Sequence, residues 1–115
     1  MNLRLRADDQ VLLLTIPEPA VLAALARILV RGVVVAMGPP EFVDQARQAL
    51  AEFDNVMLLD TDPARIPWRD GYFTKIVAPS GAEPSSEWRR VLSADGEIIH
   101  EDEASSGPAA LPSRF

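Results

Sequence analysis

Val33-Val34-Val35-Ala36-Met37-Gly38-Pro39-Pro40-Glu41-Phe42-Val43-Asp44-Gln45-Ala46-Arg47-Gln48-Ala49-Leu50-Ala51-Glu52-Phe53 carries the fold of this chain in miniature. The first five residues form a short apolar run rich in β-branched side chains, the pattern of a strand covered on both faces. Gly38-Pro39-Pro40 stops it. From about Pro40 to Phe53 the period changes: Phe42, Val43, Ala46, Ala49, Leu50 and Phe53 fall on one face at helical spacing, while Glu41, Asp44, Gln45 and Arg47 point elsewhere. A buried strand followed directly by an amphipathic helix is a βα unit.

The same unit recurs upstream. Gln10-Val11-Leu12-Leu13-Leu14-Thr15-Ile16 reads as a central strand ended by Pro17, and Ala20 to Arg31 reads as a helix with Pro19 at its start and Gly32 after its last turn. Downstream, Asn55 to Leu59 and Phe73 to Ala78 read as further strands, joined by a Pro- and Asp-rich stretch with room for one turn of helix near Pro63. Glu83 to Leu92 has serine caps and acids early and arginines late, as the helix dipole favours. Ala94-Asp95-Gly96 then turns the chain into Glu97-Ile98-Ile99-His100, a fifth strand and an edge in need of pairing or cover. Alternating strands and helices predict an α/β fold: a minimal doubly wound, mostly parallel sheet of about five strands with helices on both faces.

At the start, Leu3 to Arg6 alternates like an exposed strand and Ala7-Asp8-Asp9 is a turn candidate, a hairpin that lies elsewhere in the fold or reaches a second subunit. Residues 1–100 are read as one domain. Residues 101–115 are read as an acidic, mobile tail in which Leu111 and Phe115 are candidates to dock.

The 115 residues carry 48% hydrophobic and 24% charged side chains and a net charge of −6, without cysteine. The absence of cysteine excludes disulfides, thiolate metal sites and thiol nucleophiles. Basic residues are scattered from Arg4 to Arg114 with no stripe, which argues against a nucleic-acid surface. No apolar run is long enough to span a bilayer and the N-terminus lacks the order of a signal peptide, so no membrane and a cytoplasmic location are expected.

Three stretches in order carry a resemblance: Val33 to Arg47, Asn55 to Val77 and Glu87 to Ile99. Asp62-Pro63-Ala64-Arg65-Ile66-Pro67-Trp68-Arg69-Asp70-Gly71-Tyr72-Phe73-Thr74 resembles the "D-A-x-x-L-P-F-x-D-x-x-F-D" of class I S-adenosylmethionine-dependent methyltransferases of the UbiE type. Glu87 to Ile99, with Trp88-Arg89-Arg90-Val91-Leu92-Ser93-Ala94-Asp95-Gly96, resembles their "E-x-x-R-V-L-x-P-G-G" at a fitting distance. The likeness covers about Val11 to His100. It implies a ligand cleft at the carboxyl ends of the strands. The family's extra leading helix and its trailing antiparallel hairpin do not fit the residues given, so a minimal, shortened version is expected.

On that resemblance the cofactor-contacting positions are Thr15, Glu18, Met37, Asp62 and Ile66. They depart from the family's pattern. Where a glycine-rich turn would present N–H donors, this chain has Thr15-Ile16-Pro17-Glu18-Pro19: two prolines remove two donors, and Glu18 sets negative charge where a carboxylate would arrive. Met37 stands where the family has an acid for the ribose hydroxyls. Asp62 matches the acid expected near the adenine amine. Each has a plainer reading: Asp62 as a turn cap, Met37 as core filler, Glu18 as a favourable charge at a helix start, Trp68 and Trp88 as packing anchors with Trp68 near the cleft mouth. His100, the single histidine, reads as solvated among Glu97, Glu101, Asp102 and Glu103. No catalytic residue and no metal set is assigned.

Three functions follow. The favoured one is a methyltransferase-like domain that has lost S-adenosylmethionine and serves as a non-catalytic interaction or regulatory module, paired as a homodimer or with another protein chain. The second is an active S-adenosylmethionine-dependent methyltransferase with an atypical loop and an unknown acceptor. The third is a cleft given to another small molecule, lined by Pro17, Met37 and Trp68. Met37→Asp with glycines at Pro17 and Pro19 is expected to improve any residual cofactor binding.

Overall fold

A computed structural model describes residues 5–60, 65–79 and 82–100. The expectations placed on Leu3 and Arg4, on Asp62 and Pro63, and on the tail 101–115 lie outside those residues.

The strand that opens the sequence argument forms over its expected residues, β2 (Val33–Met37), and lies between β1 (Gln10–Leu13) and β3 (Val56–Leu59). On the other side of β1 run β4 (Phe73–Ala78) and then β5 (Leu92–His100). All pairs are parallel, in the order β3-β2-β1-β4-β5. The order reverses at β1, so the β1 and β4 loops diverge at its carboxyl end, where open α/β sheets bind ligands.

Strand alternation sorts the core into two layers. Val11, Leu13, Val34, Ala36, Leu58 and Val77 pack under α1 (Pro19–Ile28) and α2 (Pro40–Ala49). Leu12, Leu14, Val35, Met37, Ile76 and Ala78 pack on the other face with Ile66, Phe73 and the Trp88 and Val91 of α3 (Ser86–Val91). Each large aliphatic side chain removed from water here contributes about 1.5–3 kcal/mol.

The helices begin and end for local reasons. Pro19 occupies the first turn of α1. At the other end the Asn55 side-chain amide donates to the carbonyls of Ala26 (2.8 Å) and Leu29 (2.9 Å), satisfying acceptors the helix leaves open. Gly32 follows because a Cβ there would stand 2.0 Å from the Asp9 carbonyl oxygen. α1 therefore stops at Ile28, short of Arg31. α2 stops at Ala49 rather than Phe53, since the Phe53 N–H closes a turn onto Leu50 O (3.0 Å). Phe42 and Ala49, expected on its buried face, are exposed; Val43, Ala46 and Leu50 make the contact. α3 begins only after Pro84, where Ser85 Oγ accepts from the Trp88 N–H (3.2 Å).

Two expectations for the strands are corrected. The first strand ends at Leu13, with the Leu14 N–H bonded to Val77 O (3.0 Å). The expected turn at Ala94-Asp95-Gly96 lies inside β5: the register passes from Phe73↔Leu92 to Lys75↔Glu97, so β5 bulges over Ser93 to Gly96. At the amino end of the sheet the chain does turn at Ala7 to Asp9, where the Asp9 N–H bonds Arg6 O, and Asp9 is the one charged residue among the described residues that is fully buried. Its carboxylate accepts from the Arg6 N–H (2.7 Å) and the Thr74 hydroxyl (2.8 Å), with the Lys75 ammonium at 4.0 Å.

Candidate functional site

The carboxyl ends of β1 and β2 form one wall of the cleft expected of such a sheet. Leaving β1, Thr15 is exposed, Pro17 is buried and Glu18 is exposed at the start of α1. The Glu18 carbonyl accepts from the N–H groups of Val21 (2.9 Å) and Leu22 (3.3 Å), which closes the first helical turn on backbone alone. Ile16 turns inward. Its Cγ1 and Cδ1 lie 2.9 Å from where a Cβ on residue 38 would be, so any larger residue at the end of β2 would have to push the Ile16 side chain aside. Ile16, Pro17, Glu18 and Pro19 share a 230 Å³ pocket with Phe42, Gln45 and Ala46 of α2.

Among the cofactor positions expected from the sequence, Thr15 is exposed in the loop after β1. Glu18 lines this pocket. Met37 is fully buried and packs in the layer that holds Ile66, which is 3% exposed. Asp62 lies outside the described residues. Trp68 packs at the amino end of β4, its ring 5.8 Å from Tyr72 and 5.6 Å from Phe73, whereas Pro17 follows the carboxyl end of β1. The cleft-mouth placement of Trp68 is thereby corrected, and both tryptophans serve packing. Sequence reasoning missed Gly38 and the exposed Phe42; the Gly-Pro-Pro stop was a signal that something passes close to residue 38.

The second preorganised cluster joins the segment 66–71 to α3. The Arg90 guanidinium donates to Glu87 Oε1 and Oε2 (2.6 and 3.0 Å), Asp70 Oδ1 (2.7 Å) and the carbonyls of Ile66 and Trp68 (both 2.8 Å). Glu87 Oε1 also accepts from the Ile66 N–H (3.0 Å). The hydrogen bonds from Arg90, then that from Ile66, hold the Glu87 carboxyl below its ordinary range; Glu87 and then Asp70 raise Arg90 further. Gly71, at φ 69°, closes the loop by donating to Arg90 O (2.9 Å). The i, i+3 spacing of Glu87 and Arg90 was the readable trace of this clamp.

His100 is half-buried rather than solvated, with Nε2 2.7 Å from Ala82 O. Among the described residues no group of three histidine, aspartate or glutamate side chains is arranged to hold a metal. No helix among them is long and apolar enough to cross a membrane.

The sequence matches no family model and none of the curated proteins. Solved structures do match. An S-adenosylmethionine-dependent methyltransferase from Aquifex aeolicus superposes with a TM-score of 0.71 at 21% identity, over 90% of this chain and 62% of that one. The chain has the class I methyltransferase fold. The YcgJ protein of Bacillus subtilis shares that fold at TM-score 0.69 and 21% identity, over 84% of this chain and 45% of its own. So does the geranyl diphosphate C-methyltransferase of Streptomyces coelicolor, solved with S-adenosyl-L-homocysteine, at 0.70 and 16%, over 83% and 37%. The methyltransferase fold is thus matched over most of this chain, which spans about two fifths to three fifths of the length of these structures.

Proposed function

We propose that this chain is a methyltransferase-fold domain, UbiE-like in its signature, that has given up S-adenosylmethionine and works through contacts with protein. The observation that carries the reading is Ile16 against Gly38: the notch between the ends of β1 and β2 is filled by the chain's own side chain.

The donor set points the same way. Pro17 and Pro19 have no N–H to offer, and Glu18 would repel a carboxylate at the start of α1. Met37, where an acid would take the ribose hydroxyls, is a thioether fully buried in the core. The 230 Å³ pocket beside this loop is below the roughly 300–1,000 Å³ of ordinary small-molecule sites. On this reading the residues present do not fit the cofactor. What the fold retains is a rigid sheet with two edges, the common currency of protein association.

Calorimetric titration with S-adenosylmethionine and S-adenosylhomocysteine tests the reading, with no binding heat expected. A thermal scan is the companion measurement, because a ligand at one hundred times its dissociation constant stabilises by about 2.7 kcal/mol. Micromolar binding would overturn the proposal and favour an active methyltransferase with an atypical loop.

A further inference from the structure

Phe42 is spaced for the buried face of α2, yet on the first turn of that helix it is 51% exposed and lines the 230 Å³ pocket with Ile16, Pro17 and Pro19. Glu18, also exposed, lines the same pocket. An apolar wall with a carboxylate beside it suits a long side chain with a hydrocarbon stem and a cationic head. The chain shows elsewhere what it sets against its half-buried rings. Arg27 stands over Phe53, 5.6 Å from the ring centroid, and Arg69 over Tyr72 at 5.1 Å. Trp68, Tyr72 and Phe73 pack on one another, and Trp88 is buried. Phe42 is more exposed than any of these and, among the described residues, has neither a ring nor a cation of its own chain against it.

We infer that this pocket receives an arginine side chain of a protein partner, its guanidinium stacked on Phe42 and paired with the Glu18 carboxylate, its stem against Pro19. Arginine fits better than lysine because its planar, weakly hydrated head stacks on a ring face while its N–H groups still reach a carboxylate. A pocket smaller than an ordinary small-molecule site suits one inserted side chain, and arginine is among the residues that most often anchor interfaces. Charge favours a basic partner as well. Glu41 and Asp44 are exposed on the same helix, and the whole chain carries −6.

The inference rests on the protein-contact reading of this site and names the chemistry of the partner there. Amide chemical shifts of the full chain, followed on titration with N-acetyl-arginine amide, test it. Saturating shifts are expected at Glu18, Phe42, Gln45 and Ala46. N-acetyl-lysine amide should bind more weakly, and N-acetyl-citrulline amide, of the same shape without the charge, more weakly still. Phe42→Ala and Glu18→Gln, both at exposed positions, should each weaken the arginine probe about two- to fivefold and leave the rest of the spectrum unchanged. No saturating shifts within the solubility of the probe, shifts centred elsewhere, or citrulline binding as well as arginine overturns the inference, and none of these outcomes depends on a variant folding. A parallel titration with S-adenosylmethionine keeps the two readings apart: shifts from it overturn the loss of the cofactor, whereas silence from both ligands overturns the arginine site alone.

Discussion

The carboxyl ends of β1 and β2 and the clamp between α3 and the segment 66–71 are two regions of one sheet built from different kinds of contact. At the first, prolines, Glu18 and buried Met37 stand at the positions that the sequence resemblance assigns to a cofactor. At the second, Glu87, Arg90, Asp70 and Gly71 keep the signature and are used entirely within the chain, in hydrogen bonds to one another and to backbone. The difference separates two kinds of motif. Residues whose partners lie within the chain hold the fold, so their presence says nothing about a ligand. Testimony about the ligand comes from the positions whose partner would be outside.

The comparison breaks most sharply at Met37. Were it a ligand-facing position, Met37→Asp would be tolerated. Packed among Leu12, Leu14, Val35 and Ile66, the new carboxylate is instead buried without a partner. The expected loss at pH 7 exceeds about 3 kcal/mol in urea unfolding. The sign of its pH dependence follows: burial raises the folded pKa of the new acid above its unfolded value, so the loss shrinks as pH falls and the group protonates. A loss of that size would also mean that Met37→Asp, even with glycines at Pro17 and Pro19, does not rebuild a cofactor site. A loss under about 1 kcal/mol would put Met37 on the cleft wall.

How much of this was legible beforehand depended on the range of the forces involved. β2 was readable to the residue because burial on both faces writes a continuous apolar run, and β4 because Phe73 and Ile76 to Ala78 bracket it with apolar side chains. The ends of α1 and α2 were not, because they are set by Asn55 and by a turn at Leu50, contacts that local periodicity does not encode. The same holds for Phe42, whose spacing fits the buried face of α2 but whose turn of helix overhangs the loop after β1. At the site, composition revealed the missing donors; Ile16 filling the space over Gly38 could be found only in three dimensions.

Next in size is Arg90→Ala, which strips Glu87 of its cation and leaves the carbonyls of Ile66 and Trp68 without their donor. A thermal melt should show a larger drop than for Arg69→Ala or Arg89→Ala, both exposed. Arg90→Lys should recover little, because one ammonium cannot reproduce a planar fork serving four residues. Equal drops for all three arginines would reduce the clamp to ordinary surface charge. Smaller again is Gly38→Ala: its Cβ meets Ile16 at 2.9 Å, and overpacking of this kind costs about 1–3 kcal/mol. Ile16→Ala should relieve it, giving a non-additive double-variant cycle. An additive cycle would mean that Ile16 does not fill that notch.

The smallest effect sharpens the other side of the comparison. Glu87 is held below the ordinary carboxylate range, chiefly by Arg90 and then by the Ile66 N–H, so it ionises more readily folded than unfolded. In acid the unfolded chain therefore binds the proton first. The contribution of Glu87 to stability is full above its ordinary value of 4.5 and is lost as pH falls through the lowered folded value. Glu87→Gln keeps an acceptor for Ile66 but has no charge to lose, so its stability should fall less steeply than that of the wild type below about pH 4.5. Other acids titrate in both chains, and the difference between the two curves isolates residue 87. Curves that stay parallel through this window would mean that the pair is screened like an isolated surface ion pair, and the clamp would then rest on its uncharged partners, the backbone groups of Ile66 and Trp68.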